Sequence, residues 1–115
     1  MTDNKPALPI VTEPTVWEKP SCPQCFGAKL GLKGQGVAPA IRSLVNEPEA
    51  LAAFKANGFA SAPILQFPAV LDGDMILYAG GTFAGNQVDE IEQYGAAVRE
   101  LAAREAARLP ELLAA

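Results

Sequence analysis

Histidine is absent from this 115-residue chain, and cysteine occurs only twice, at Cys22 and Cys25. A structural zinc site needs about four Cys or His ligands, so one chain alone cannot build it without carboxylates or a second subunit. A purely structural disulfide is also disfavoured, because a bridge across two residues restricts the unfolded chain very little. The two sulfurs are therefore interpreted as a redox pair, and no bound metal is expected.

Long apolar runs and basic clusters are missing as well. Pro, Gly or charged residues interrupt every apolar run well before the roughly 20 residues that a membrane span needs. The net charge is −4, and the scattered Lys and Arg residues form no stripe that would follow phosphates. Residues 1–6 have neither the basic nor the apolar part of a secretory signal. We expect a cytoplasmic, monomeric protein that binds neither nucleic acid nor membranes.

The two cysteines form a Cys-Pro-Gln-Cys motif between a strand pattern and a helical pattern. This context predicts Cys22 as the N-cap of the helix and Pro23 as its first residue, where a missing N–H is harmless. Free backbone N–H groups and the positive helix end favour a thiolate there, with a pKa lowered to roughly 3.5–7.5 from about 8.5. Cys25 is one turn further along the same face. We expect Cys22 to attack and Cys25 to resolve, with Pro23 and Gln24 supporting them.

The apolar patterns predict a single α/β domain with the element order β-α-β-α-β-β-α. The inward face of the first helix should comprise Phe26, Leu30 and Leu32. That of the second should comprise Leu51, Phe54 and Ala52. The first two strands should be parallel, joined by a right-handed crossover. An Asp-Gly turn should join the last two strands in an antiparallel hairpin, followed by a flexible loop at 79–85 and a helix capped by Asn86. The predicted strands are 15–18, 37–44, 63–67 and 75–78, and the first two helices are 23–33 and 48–57.

Both ends of the chain differ from this domain, which spans residues 15–94. Residues 1–14 carry three prolines and no clear period, so we interpret them as an irregular or mobile arm without function. Residues 95–115 are rich in alanine and predict a helical extension with a narrow apolar stripe, in which Pro110 starts a last turn. We expect this extension to add little to the core.

Three motifs in order resemble the glutaredoxin-like NrdH-type redoxins of the thioredoxin superfamily. They are Lys19-Pro20-Ser21-Cys22-Pro23-Gln24-Cys25, Glu47-Pro48-Glu49-Ala50 and Gly58-Phe59-Ala60-Ser61-Ala62-Pro63. The resemblance covers about residues 15 to 94. It implies a thioredoxin/glutaredoxin-like fold with a four-stranded mixed sheet, two parallel strands plus an antiparallel hairpin, flanked by about three helices. It also implies that Pro63 is a cis-proline presenting the Ala62 backbone to substrate, with Pro68 as the alternative. Lys19, close to the cysteines in sequence, is interpreted either as an electrostatic helper of Cys22 or as a solvated charge beside the strand end.

Two departures from the family concern the segment after the hairpin. Where these redoxins have Trp-Ser-Gly-Phe, this chain has Tyr78-Ala79-Gly80-Gly81. Gly80 and Gly81 also resemble the glycine pair with which glutaredoxins hold glutathione, which makes them candidate substrate-binding residues. However, Thr82 and Phe83 stand where glutaredoxins have an acidic residue, and Gln24 replaces the aromatic residue of their Cys-Pro-Tyr-Cys motif. The balance favours the redoxin.

The resemblance implies a small dithiol carrier without a bound cofactor. Such a carrier takes electrons from NADPH through thioredoxin reductase and donates hydrogen to ribonucleotide reductase. A glutathione-dependent glutaredoxin is the first alternative. The second is a binding adaptor that has kept the fold and uses the alanine-rich tail as a partner helix.

Overall fold

The computed structural model describes residues 5–114. Residues 1–4 lie outside the described part of the chain, and so does residue 115. The predictions made for these residues, on the start of the arm, the secretory signal and the end of the tail, are therefore not examined by the structure. The described chain contains six strands and three helices. These are β1 Thr15–Glu18, α1 Pro23–Gly34, β2 Ala40–Ser43, α2 Pro48–Ala56, β3 Ile64–Phe67, β4 Val70–Asp72, β5 Met75–Tyr78, β6 Gly81–Ala84 and α3 Val88–Ala114.

Local chemistry explains the bounds of the first two helices. Proline occupies the first turn of both α1 and α2, where its fixed φ suits the helix. Beyond α1 the chain reaches Gly36 at φ 78°, and beyond α2 it reaches Gly58 at φ 88°. A residue with a Cβ rarely adopts this left-handed conformation, so glycine allows the chain to turn there.

The central sheet has the strand order β2-β1-β3-β6. β1 and β2 are parallel, while β3 pairs antiparallel with both β1 and β6. The predicted mixed four-stranded sheet with three helices and the predicted parallel crossover are therefore confirmed.

The predicted partner of β3 is wrong. β3 does not pair with residues 75–78 but with β6, which the sequence suggested was part of a flexible loop. The Asp-Gly signal does produce a hairpin, but this hairpin joins β4 to β5 in a separate two-stranded ribbon. Gly80 returns the chain from the ribbon to β3 at φ 84°, and a Cβ added to it would lie 2.9 Å from the Phe67 carbonyl oxygen. Only glycine fits so close to backbone atoms.

Residues 5–14 form no helix or strand, as predicted, but they pack against the domain. The Gln66 Nε2 group, in the centre of the sheet, donates to the Pro9 carbonyl at 2.9 Å. Asn57 Nδ2 at the end of α2 donates to the Pro6 carbonyl at 3.0 Å, and Leu8 packs against the core. Of the two alternatives, irregular or mobile, these contacts favour an irregular arm that is held in place, because it satisfies polar groups of α2 and β3.

Two apolar clusters cover the two faces of the sheet. The α2 face contains Trp17 and Phe54, both fully buried with their rings edge to face at 5.2 Å. The opposite face, which α1 and α3 cover, is larger. Its buried residues are Val16, Ala28, Leu32, Val37, Leu65, Phe67, Val70, Tyr78, Ile91, Tyr94 and Ala97.

Of the residues predicted to turn inward on α1, Leu32 is buried as expected, whereas the prediction is wrong for Phe26 and Leu30. Phe26 is 61% exposed and Leu30 is 51% exposed, whereas Cys25, Ala28 and Leu32 are buried. The sequence-based prediction gave weight to large apolar residues, but α1 packs through small ones. In α2 the predicted Phe54 is fully buried and Leu51 is partly buried, whereas Ala52 is exposed.

α3 is one continuous helix that passes through Gly95, where the sequence suggested a separate tail. Gly95 and Ala97 are buried, and Val98 and Leu101 pack against the core. Pro110 lies inside the helix and does not start a new turn. Within residues 5–114, no helix is long and apolar enough to cross a membrane.

The predicted side-chain cap of α3 is not formed. The Asn86 Oδ1 atom is buried and has no hydrogen-bond partner within the described chain. Asn86 instead packs against α1, where its Nδ2 atom lies 3.0 Å from the position that a Cβ on Gly27 would occupy.

Candidate active site

Cys22 and Cys25 form a disulfide, with their Cα atoms 5.2 Å apart. Cys22 is the N-cap residue of α1 with an extended backbone, and Pro23 follows at the first helical position, so this predicted placement is confirmed. The Cys25 N–H donates to the Cys22 Sγ at 3.1 Å. A thiolate formed at Cys22 by reduction would lie beside this N–H donor and the positive end of the helix, which both stabilise negative charge. No acidic side chain in the first turn of α1 opposes this effect.

The two sulfurs differ in access. Cys22 is partly exposed, whereas Cys25 is 2% exposed in the interior. A partner molecule can therefore reach Cys22, and Cys25 can reach only Cys22. The attacking role of Cys22 and the resolving role of Cys25 stay predictions, and this inequality favours them.

The turn between β1 and α1 holds the disulfide at the end of the sheet. Ser21, directly before Cys22, has φ 55°, a left-handed conformation that costs an L-residue about 1–2 kcal/mol. The Lys29 Nζ on α1 pairs with the Glu18 Oε1 at the end of β1 at 2.6 Å. The strained backbone of Ser21 and the ion pair between Lys29 and Glu18 indicate that the turn between β1 and α1 has a defined conformation. Lys19 and Gln24 are exposed beside it.

Pro63 lies at the same end of the sheet. The Ala62-Pro63 peptide bond is cis, which confirms Pro63 and not Pro68 as the cis-proline. Trp17 in β1 pairs with Ile64 in β3, so Pro63 stands next to the end of β1 that leads to the cysteines. Pro63 is buried, while Ala62 is partly exposed at the surface.

The loop after β6 completes this end of the site, and the sequence-based prediction missed it. The Gly85 N–H donates to the Pro63 carbonyl at 2.7 Å. A Cβ on Gly85 would lie 3.8 Å from the Gln24 Oε1 atom, so the loop approaches the Cys-Pro-Gln-Cys turn. Because β6 is the last strand of the sheet, Phe83-Ala84-Gly85-Asn86 occupies the place where we expected Tyr78-Ala79-Gly80-Gly81. The sequence signal that could have identified this loop is the Phe-x-Gly pattern at residues 83–85.

The structure does not bring Gly80 and Gly81 to the disulfide. β3 and β6 are antiparallel, with Ile64 opposite Ala84 and Phe67 opposite Gly81. Gly81 is therefore three residues, about 10 Å, from the end of β3 that follows Pro63. These two glycines form the base of the β4–β5 ribbon.

A groove adjoins Ala62 on the α2 side of the disulfide. It is a cavity of ≈ 240 Å³ with an apolar floor and an ammonium group from each of two lysines. Its lining includes Lys19, Leu44, Val45, Leu51, Lys55 and Ala62.

No protein-family model matches the sequence, and no curated protein sequence matches it significantly. Among solved structures, the chain is similar to the glutaredoxin-like protein NrdH-redoxin from Escherichia coli, which has a thioredoxin-like activity profile. The TM-score is 0.55 and the sequence identity 23%, and the alignment covers 71% of this chain and 93% of that one. The implied fold is therefore confirmed: the chain has a thioredoxin-like α/β fold, with its Cys22–Cys25 pair in a Cys-x-x-Cys arrangement and a long C-terminal helix.

Proposed function

We propose that this protein is a thiol-disulfide oxidoreductase that cycles between the Cys22–Cys25 disulfide and the dithiol. The observation that carries the proposal is the unequal pair itself, an accessible N-cap sulfur bonded to a buried one. The thioredoxin-like fold supports it.

The proposed reaction needs only the two cysteines and one disulfide bond of the partner protein, and no further oxidant or reductant takes part. The Cys22 thiolate attacks a partner sulfur, which breaks the partner's S–S bond and releases its first thiolate. The Cys25 thiolate then attacks the Cys22 sulfur of the mixed disulfide and releases the second partner thiolate. Two electrons pass to the partner, and the Cys22–Cys25 disulfide forms.

We further propose thioredoxin reductase with NADPH as the electron source, ribonucleotide reductase as an acceptor, and a monomer in the cytoplasm as the working state. This part rests on the resemblance of the three sequence motifs. The displaced Gly80 and Gly81 support it, because their displacement removes the pair that would have held glutathione.

Glutathione is the second candidate electron source, and the groove beside Ala62 favours it. Lys19 and Lys55 at this groove offer two cations to a tripeptide with two carboxylates. A binding adaptor without redox chemistry is the third candidate, and the paired cysteines argue against it.

Substitution of each cysteine tests the chemistry. Cys22→Ser should abolish disulfide reduction, whereas Cys25→Ser should still attack and accumulate as a mixed disulfide, visible as a mass increase of the intact protein. Rapid alkylation of Cys25 alone at pH 6 in the reduced wild type would show that the roles are reversed. An adaptor would show no turnover in any form.

A side-by-side assay tests the electron source. The oxidised protein is mixed either with NADPH and thioredoxin reductase or with glutathione, NADPH and glutathione reductase, and NADPH loss is followed. We expect the first system to reduce the disulfide much faster. A faster glutathione system, with a slower reaction in Lys19→Ala and Lys55→Ala, would replace the redoxin with the glutaredoxin.

A further inference from the structure

The outer face of α1 is apolar where it leads away from the disulfide. Phe26 follows Cys22 by four residues and Leu30 follows Phe26 by four, so these residues form one inclined stripe on the helix. Phe26 is 61% exposed and Leu30 is 51% exposed. Neither side chain belongs to the buried core of the described residues.

The packing of α1 explains why these side chains remain outside. Toward α3, the helix presents Gly27 and Gly31, which lie against Asn86 and Ile91. Toward the sheet it buries Cys25, Ala28 and Leu32. Phe26 and Leu30 lie on neither of these packed faces, and within residues 5–114 both remain more than half exposed.

Single exposed apolar residues are common on protein surfaces and need no explanation. This stripe differs because it continues from the sulfur that the proposed reaction must bring to a partner. Lys33, which follows Leu30 by three residues on α1, also lines a groove of ≈ 520 Å³ between α1 and β2. The groove is lined by Lys29 and Lys33 with Val37, Ala38, Pro39 and Ile41.

The charge of this face is opposite to that of the whole chain. The chain has a net charge of −4, yet α1 contains two lysines and no acidic residue. Lys29 pairs with Glu18, whereas Lys33 has no ion pair within residues 5–114. A molecule that binds this face would therefore be stabilised by apolar side chains placed near the disulfide and by a carboxylate placed near Lys33.

We propose that the outer face of α1, formed by Phe26, Leu30 and Lys33, is the docking surface for the disulfide-bearing protein substrate. This inference rests on the proposed function. The face extends about 16 Å from Cys22 to Lys33, enough for a short segment of the substrate next to its cysteine. Apolar side chains of that segment cover Phe26 and Leu30, and an acidic side chain meets Lys33.

A comparison of two disulfides tests the proposal. The reduced protein, freed of dithiothreitol, is mixed with insulin or with bis(2-hydroxyethyl) disulfide, and the second-order rate is followed by quenching and mass spectrometry. The test variant is F26A/L30A. The matched control is L109A/L112A, which removes two other exposed side chains, 51% and 71% exposed, from the end of α3.

We expect F26A/L30A to reduce insulin about tenfold more slowly, because its partner can no longer bury two large apolar side chains. Reduction of the small disulfide should be unchanged, and the control pair should match the wild type with both. An unchanged insulin rate overturns the proposal. So does an equal loss with both disulfides, which would place the effect in the chemistry of Cys22, and so does an equal loss in the control pair.

The charge of the partner is tested with two synthetic disulfide peptides that differ only in Glu or Lys flanking residues. The wild type should prefer the Glu peptide, and Lys33→Glu should reverse this preference. An equal rate with both peptides contradicts the acidic partner. If the wild type reduces none of these disulfides, the proposed function itself fails, and that outcome is distinct from all the others.

Discussion

The two faces of the central sheet are held together in different ways. On the α2 face, large side chains interlock: Trp17 and Phe54 meet edge to face, and the Arg42 guanidinium stacks 4.2 Å from the centre of the Trp17 ring. On the α1 and α3 face, the helices approach through glycines. A Cβ on Gly31 would lie 3.6 Å from Ile91, and one on Gly95 would overlap Gln35.

This difference shows how the disulfide helix is supported. α1 offers few large side chains to the core, so its position depends on how closely α3 can approach it. α3 in turn is held by aromatic stacking, with the rings of Phe67 and Tyr94 parallel at 4.6 Å. Burial and a hydrogen bond to Glu90 also raise the pKa of the Tyr78 hydroxyl beside Tyr94. Tyr78 therefore stays neutral throughout the usual pH range.

The largest expected effect breaks the α2 face. Phe54→Ala removes a fully buried ring from the Trp17 cluster and should lower the free energy of unfolding by about 3–5 kcal/mol. The measurement is urea unfolding followed by far-UV circular dichroism. Phe26→Ala is the matched control because its ring is exposed, and it should shift the midpoint very little. Equal losses would mean that exposure does not decide the contribution of these rings.

Truncation after Tyr94 should break the other face. It removes buried Ala97, the partly buried Val98 and Leu101, and the Arg99 guanidinium that donates to the Gln35 carbonyl at 3.0 Å. We expect a loss of about 3 kcal/mol from the apolar burial alone. This replaces the expectation, based on a narrow apolar stripe, that residues 95–115 add little to the core.

A shorter truncation is the control. Removal of the chain after Arg108 deletes exposed Leu109, Leu112 and Leu113 but keeps both arginines that pair with Asp72. It should unfold at nearly the wild-type temperature in scanning calorimetry. A wild-type unfolding temperature for the longer truncation would show that α3 after Tyr94 is dispensable.

A smaller effect tests the close approach of α3 to α1. A Cβ on Gly95 would lie 2.5 to 2.8 Å from three side-chain atoms of Gln35, including its Cβ. Gly95→Ala should therefore destabilise by about 1–3 kcal/mol, although alanine is the better helix former. Gly34→Ala is the control, since no atom lies within 4 Å of the new Cβ. Stabilisation by both substitutions would show that the helices are further apart than the structure indicates.

The smallest expected effect concerns the ribbon. The Arg108 and Arg104 guanidiniums hold the pKa of the Asp72 carboxyl below its usual range. Its contribution to stability is therefore complete above the ordinary pKa of about 4 and disappears as the pH falls through the lowered value. Asp72→Asn should be less stable than the wild type at pH 7 and equal to it in strong acid.

The control for this pH dependence is Asp74→Asn in the same turn, because Asp74 forms no ion pair within the described chain. It should follow the wild type at every pH. A constant difference between Asp72→Asn and the wild type down to strong acid would contradict a role for the carboxylate charge. Thermal unfolding from pH 2 to pH 8 measures all three proteins.

The sequence alone determined those features that depend on neighbouring residues. Cys22 became an N-cap because Pro23 can begin a helix and cannot donate there, and Gly58 ended α2 because a left-handed residue was needed. The parallel pairing of β1 and β2 followed in the same way, because one helix between two strands permits little else. These features are local in the chain, so residue type and spacing suffice to predict them.

The tertiary structure decided which of two similar segments completes the sheet. Residues 75–78 and 81–84 both form short strands, but the ring of Tyr78 packs against Tyr94, and this keeps β5 in the ribbon over α3 while β6 pairs with β3. The same distant packing places Gly85 at Pro63 and leaves Phe26 in solvent. These outcomes depend on contacts between residues far apart in the chain, and a local sequence pattern does not contain that information.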